Sequence, residues 1–110
     1  MKHALPALSE ATLSDLRRQI DGVDEQLLGL LARRCGLVRR VQQLKRASGM
    51  PARNAGRERE IFLRAGALAR RLGMPDEGAV AVLRDVLRCS LLAAGVADAP
   101  DRLPRRRAPP

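Results

Sequence analysis

Apolar residues recur at steps of three and four through the first half of the chain, at Leu16, Ile20, Val23, Leu27, Leu30, Leu37, Val41 and Leu44. That spacing is the seam of a coiled coil. With no proline from Thr12 to about Ala47, it predicts one helix of more than thirty residues. Thr12 or Ser14, followed by Asp15, offers a cap and a favourable acid in the first turn. A helix that long must pack along an element of similar length. The rest of the chain supplies none, whereas a second copy does. The stretch SGMPARNAG (Ser48 to Gly56) then reads as a loop. A second helix is expected from about Arg57 to Leu72 on the stripe Ile61, Ala65, Leu68, Leu72, ending at Gly73. A third follows with Pro75 at its first position and Asp76 and Glu77 in its first turn, running to about Ala94 on Val80, Leu83, Leu87 and Leu91, and closed by Gly95. The expected organisation is a flexible amino end over residues 1–11, a helical domain over 12–97 and a disordered Pro/Arg-rich tail over 98–110.

Composition agrees with an all-α chain. Leu, Ala and Arg abound, while Trp and Tyr are absent and Phe occurs once. The amino end carries a single Lys and a proline-broken apolar run too short for a signal peptide, and no segment approaches a membrane span. A cytoplasmic protein is expected. Cys35 and Cys89 match no metal-ligand spacing and read as small core residues in a reducing compartment. Gly22, Gly29 and Gly36, spaced by seven, each weaken a helix by ~1 kcal/mol relative to Ala.

The formal net charge of +9 suggests an anionic partner. Nucleic acid is the plain candidate, yet no aromatic platform exists for stacking bases and no nucleic-acid-binding signature is present. The informative charges are those that break the apolar pattern. Seven residues on from Leu27 the seam holds Arg34, whose helical neighbours Leu30, Leu31, Leu37 and Val38 include no carboxylate. Lys45 follows eleven residues later, about three turns on, so the two share a face with Cα atoms roughly 16 Å apart. Between Glu25 and Glu58 the chain holds eight basic residues and no acid. A guanidinium on a buried seam must find an anion or cost stability. The alternative for this pair is a charge that snorkels to the surface or pairs across a dimer. Arg33, Arg39, Arg40 and Arg46 read as a solvated face, and Arg17 stays open between the two readings, since Asp21 one turn on is within pairing reach.

The run LRRQIDGVDEQLLGLLARRCGLVRRV, then Lys45, then RERE at Arg57 to Glu60, resembles the AroQ class (type II) of chorismate mutases from about Leu13 to Ser90. The resemblance implies an intertwined all-helical homodimer that converts chorismate to prephenate. Arg34 and Arg17 resemble the two carboxylate-binding arginines, with Arg17 lent by the other subunit. Arg17 lies about 25 Å along the helix from Arg34, too far to share one site within a chain. Lys45 resembles the lysine that contacts a carboxylate and the ether oxygen. Arg57 and Glu58 resemble the pair opening the second helix, Glu58 receiving the C4 hydroxyl. Ser90 matches a serine that helps hold a carboxylate, and Asn54 stands at a loop position that is often Asp. One turn after the serine, where the family commonly has a glutamine donor, this chain has Ala94. A missing donor of that kind costs on the order of a hundredfold in rate, so Ala94→Gln is expected to raise turnover.

The chemistry makes such a charge pattern intelligible. A Claisen rearrangement needs no nucleophile, metal, cofactor or proton transfer, only a folded dianion and fixed cations facing the charge that grows on the ether oxygen. His3 is incidental on this reading. An activating partner enzyme is compatible with it. The same pocket also suits 4-amino-4-deoxychorismate mutase or isochorismate pyruvate lyase chemistry. From another class, a non-catalytic basic helical binding or regulatory protein predicts steep salt dependence carried by many arginines.

Overall fold

The computed structural model describes residues 6–96, and every described element is helical: α1 (Pro6–Ser48), α2 (Ala55–Arg71) and α3 (Asp76–Ala93). α1 begins at Pro6, ahead of the expected start at Thr12. Proline is tolerated in a first turn because its missing N–H has no partner there, and the helix-favouring Leu, Glu and Ala that follow carry the helix through Thr12 and Ser14. Residues 1–5 of the expected flexible end and the tail from 97 onward lie outside the described residues. The loop is shorter than expected, occupying only residues 49–54.

All three helices end in the same way. Gly49, Gly73 and Gly95 adopt φ of 71, 72 and 82°, the left-handed conformation that glycine enters without a Cβ clash. The N–H of each glycine and of the residue after it turn back onto the last turn: Met50 to Lys45 O (2.8 Å), Met74 to Ala69 O (2.8 Å) and Val96 to Leu91 O (2.9 Å). This is the Schellman arrangement, which satisfies carbonyls that would otherwise lack partners.

The chain divides into two units, residues 1–33 and 34–110. In the first, the described part is helix alone. Its apolar residues from Leu13 to Leu30 are between 47 % and 65 % exposed. In the second, α2 packs on α3. The fully buried residues of α2 are Ala65, Gly66 and Ala69; of the expected stripe, Ile61 is half-buried, while Leu68 and Leu72 are 49 % and 63 % exposed. Small residues let the two backbones approach, and a Cβ added at Gly66 would already reach Val80 Cγ2 at 4.0 Å. On α3, Leu87 and Leu91 are buried with Val96, and Val38 of α1, Ala52 of the loop and Phe62 of α2 pack against them. Each buried leucine contributes about 1.5–3 kcal/mol. Their further effect is to hold the carboxyl-terminal part of α1, the loop and α3 around one hollow. Cys35 is half-buried but Cys89 is exposed, against the expectation that both lie in the core.

Candidate active site

Arg34 projects from α1 and donates from Nη1 to Ser90 Oγ on α3 at 2.7 Å. Ser90 is fully buried and donates its own hydroxyl proton to Val86 O, one turn back, at 2.8 Å. A serine oxygen has one proton and two lone pairs, so the bond to Val86 fixes the rotor and leaves the lone pairs for the guanidinium. Burial pushes the Arg34 guanidinium down from its ordinary value. Cys35 opposes that shift and the charge of Arg57 adds to it. Among the described residues no carboxylate pairs with Arg34 or with Lys45. A desolvated cation without a counter-ion is expensive, and one that faces a hollow is a site for an anion.

That hollow is a cleft of about 160 Å³ within the second unit. Its polar wall includes Arg34, Gln42, Lys45, Asn54, Arg57 and Glu58, and its apolar floor includes Val38, Ile61, Leu87 and Leu91. Lys45 is half-buried and donates from Nζ to Ala52 O at 3.2 Å, a neutral acceptor that leaves its charge uncompensated. Asn54 caps α2: its Oδ1 accepts from the Arg57 N–H at 2.9 Å, so this residue fixes where α2 starts and therefore where Arg57 and Glu58 stand. The Arg57 guanidinium is exposed and pairs with Glu60, one turn on. Beside the cleft, a larger hollow of about 460 Å³ shares Arg34 and Arg57 and continues along α2 past Arg64 and Arg71.

Glu58 is held in a way the sequence reading did not anticipate. Arg53 clamps it with two bonds, Nε to Oε2 at 2.9 Å and Nη2 to Oε1 at 2.7 Å. Arg53 sits in the loop five residues before its partner, outside helical i,i+4 spacing, so periodicity does not flag it. Gln42 was also missed. It is 3 % exposed and donates from Nε2 to Ala52 O at 2.8 Å. Its position carries a signal, because residues 34, 38, 42 and 45 form one stripe of α1, but a neutral amide between two cations adds nothing to the charge pattern.

Five of the seven sequence-predicted site residues thus line one cleft, and Ser90 joins them through Arg34. Arg17 belongs to the first unit, is exposed, and forms no ion pair with Asp21; the pair in that turn is Arg18 with Asp15 at 3.4 Å. Arg33, Arg39, Arg40 and Arg46 are all exposed. Ala94 is 7 % exposed, caps α3 and does not line the cleft.

Residues 16–93 match the family described as chorismate mutase type II. The chain is 33 % identical over 82 residues to a bifunctional chorismate mutase/prephenate dehydratase of Aquifex aeolicus (strain VF5), an alignment covering 72 % of this chain and 23 % of that protein. It is 41 % identical over 78 residues to the T-protein of Enterobacter agglomerans, covering 71 % of this chain and 21 % of that one. The chain therefore spans less than a quarter of the length of these curated relatives. No solved structure matches significantly. A three-helix chain whose uncompensated cations face one cleft, and whose match runs from α1 through α3, belongs to the type II chorismate mutase family.

Proposed function

We propose that this chain catalyses the Claisen rearrangement of chorismate to prephenate. The observation that carries the reading is the pairing of two cations without acids, Arg34 and Lys45, on one face of α1 above an apolar floor. Such a cleft selects a small dianion and gives it no group for covalent chemistry. In the reaction the ether C–O bond breaks as the enolpyruvyl methylene carbon bonds to the ring carbon bearing the carboxylate, and no atom is gained or lost. Arg34, oriented by Ser90, holds one carboxylate. Lys45 keeps its bond to Ala52 O and turns one of its remaining N–H groups to the ether oxygen as negative charge develops there. Each such donor is worth on the order of a hundredfold to a thousandfold in rate, and holding the chair-like conformer removes part of the remaining barrier. Glu58 accepts from the C4 hydroxyl. Because Arg53 already balances the Glu58 charge, an ammonium at C4 gains little over a hydroxyl, which favours chorismate over its 4-amino analogue. Lys45→Met should abolish turnover with helix content unchanged; full activity in that variant would refute the assignment.

The same proposal includes a homodimer in which Arg17 of a second copy completes the anion site. Three features support it: the open apolar stripe of α1, the glycines at 22, 29 and 36 where, apart from the adjoining helix backbone, no described atom lies within 4 Å of an added Cβ, and the exposed acids Asp21, Asp24 and Glu25, opposite in sign to the Arg64 and Arg71 hollow. Burying a stripe of this kind is the usual reason for a coiled-coil seam. Sedimentation equilibrium should give twice the chain mass, and a monomer with full activity would overturn this part. No described helix is long and apolar enough to cross a membrane, and the cytoplasm, where thiols stay reduced, is the proposed compartment.

A further inference from the structure

We propose that Gln42 is a substrate-contacting residue, its carboxamide N–H bonding the ether oxygen of the bound dianion beside Lys45. The inference rests on the reaction proposed above. Gln42 is among the most buried polar residues described, 3 % exposed, and lines the same cleft as Arg34 and Lys45. Its amide orientation is fixed, because only the nitrogen can donate to the carbonyl of Ala52. Lys45 Nζ donates to that same carbonyl oxygen. Two donors converging on one acceptor stand close enough to share a ligand atom, and each keeps N–H groups to spare: the amide has a second hydrogen, the ammonium two more.

The reaction gives those spare donors a task. As the ether bond lengthens, negative charge gathers on its oxygen, and donors already in place stabilise it without reorganisation. Lys45 supplies the charged donor. A neutral second donor adds stabilisation without placing another cation beside Arg34 and Arg57, where charge already resists burial. α3 offers no such group at its carboxyl end, since Ala94 is buried, carries no polar side chain and lies off the cleft. The carboxamide comes from α1 instead. A structural role also fits part of the geometry, because the bond to Ala52 O ties the loop to α1. The test must therefore separate contact with the ether oxygen from a loop clamp.

The experiment compares wild type with Gln42→Leu on two inhibitors: an oxabicyclic dicarboxylate that mimics the chair-like transition state, and the same bicycle with a methylene replacing the bridging oxygen. Contact with the ether oxygen predicts that Gln42→Leu weakens the oxygen-bridged compound by about a hundredfold and the methylene compound by less than about threefold, with kcat falling about a hundredfold and KM nearly unchanged. A loop clamp predicts equal weakening of both compounds, and that result overturns the proposal, as does unchanged affinity for both. Gln42→Glu provides a second route should the leucine variant misfold. A protonated carboxyl can still donate, whereas an ionised one opposes the growing charge, so its kcat relative to wild type should rise on acidification; a flat ratio overturns the proposal. Wild type that neither turns over chorismate nor binds either bicycle refutes the reaction itself, whereas active wild type with an indistinguishable Gln42→Leu refutes only the role of Gln42.

Discussion

Replacing Arg34 by Met should separate stability from function in opposite directions. The guanidinium is half-buried, has no carboxylate partner among the described residues, and rests on one bond to Ser90 at 2.7 Å. Met keeps an unbranched stem of similar reach and removes the charge. The loss is one charge-assisted hydrogen bond, worth about 1.5–3 kcal/mol. The gain is relief from desolvating a half-buried cation without a counter-ion, which is of similar size. Ser90 is not orphaned, because its hydroxyl still bonds Val86 O at 2.8 Å. The expected net change without ligand is therefore between zero and about 1 kcal/mol of added stability, a rise of up to about 8 °C in a domain of this size. With no Trp or Tyr in the chain, unfolding is followed by far-UV circular dichroism at one fixed protein concentration. Chorismate turnover in the same preparation should fall at least a hundredfold. A bound dianionic inhibitor at about a hundred times its Kd should stabilise wild type by about 2.7 kcal/mol and the variant hardly at all. Destabilisation of the unliganded variant by more than about 2 kcal/mol would refute the reasoning, for it would make Arg34 a structural tie rather than a cation held ready for an anion.

Other consequences can be measured separately. The Arg53–Glu58 clamp, with side chains 31 % and 17 % exposed, should show a coupling of about 1–2 kcal/mol in a double-mutant cycle of Arg53→Met and Glu58→Gln; coupling near zero would mean the pair is not formed in solution. Gly95→Ala forces a Cβ into φ of 82° and should cost about 1–2 kcal/mol in urea unfolding, with no loss indicating that α3 ends differently. Asn54→Ala removes the cap on the Arg57 N–H and should cost about 1 kcal/mol and raise KM, whereas Asn54→Asp should restore stability. Ala94→Gln forces a long side chain into a site only 7 % exposed, and overpacking there should cost about 1–3 kcal/mol; unchanged stability with faster turnover would show instead that this end of α3 opens onto the cleft.

The fold was legible wherever periodicity and terminators agreed. Gly73 and Gly95 mark two helix ends that the structure closes with one hydrogen-bond pattern, which Gly49 repeats at the end of α1, and the α3 stripe at Leu87 and Leu91 is buried as its spacing predicts. The start of α1 was misread because Thr12 and Ser14 are good caps, yet nothing before them stops a helix. Half of the expected α2 stripe holds: Ala65 is buried and Ile61 lines the cleft, whereas Leu68 and Leu72 are exposed, because Gly66 and Ala69 shift the buried face towards small residues. In the site, Arg34 and Lys45 were visible as cations on an apolar stripe without local acids. Arg53 and Gln42 were not, the first because its partner is reached through a loop and the second because a neutral amide leaves no trace in a charge count. The α1 seam is a different case: its apolar spacing was plain, but in the single chain it stays exposed.

Chorismate added to the purified chain, with substrate and product followed by proton NMR, distinguishes rearrangement from lyase chemistry and from an inactive protein. Chorismate should be lost far faster than in buffer, prephenate should appear in equal amount, and no pyruvate should be released. Chorismate decaying at the rate seen in buffer would contradict the proposed reaction.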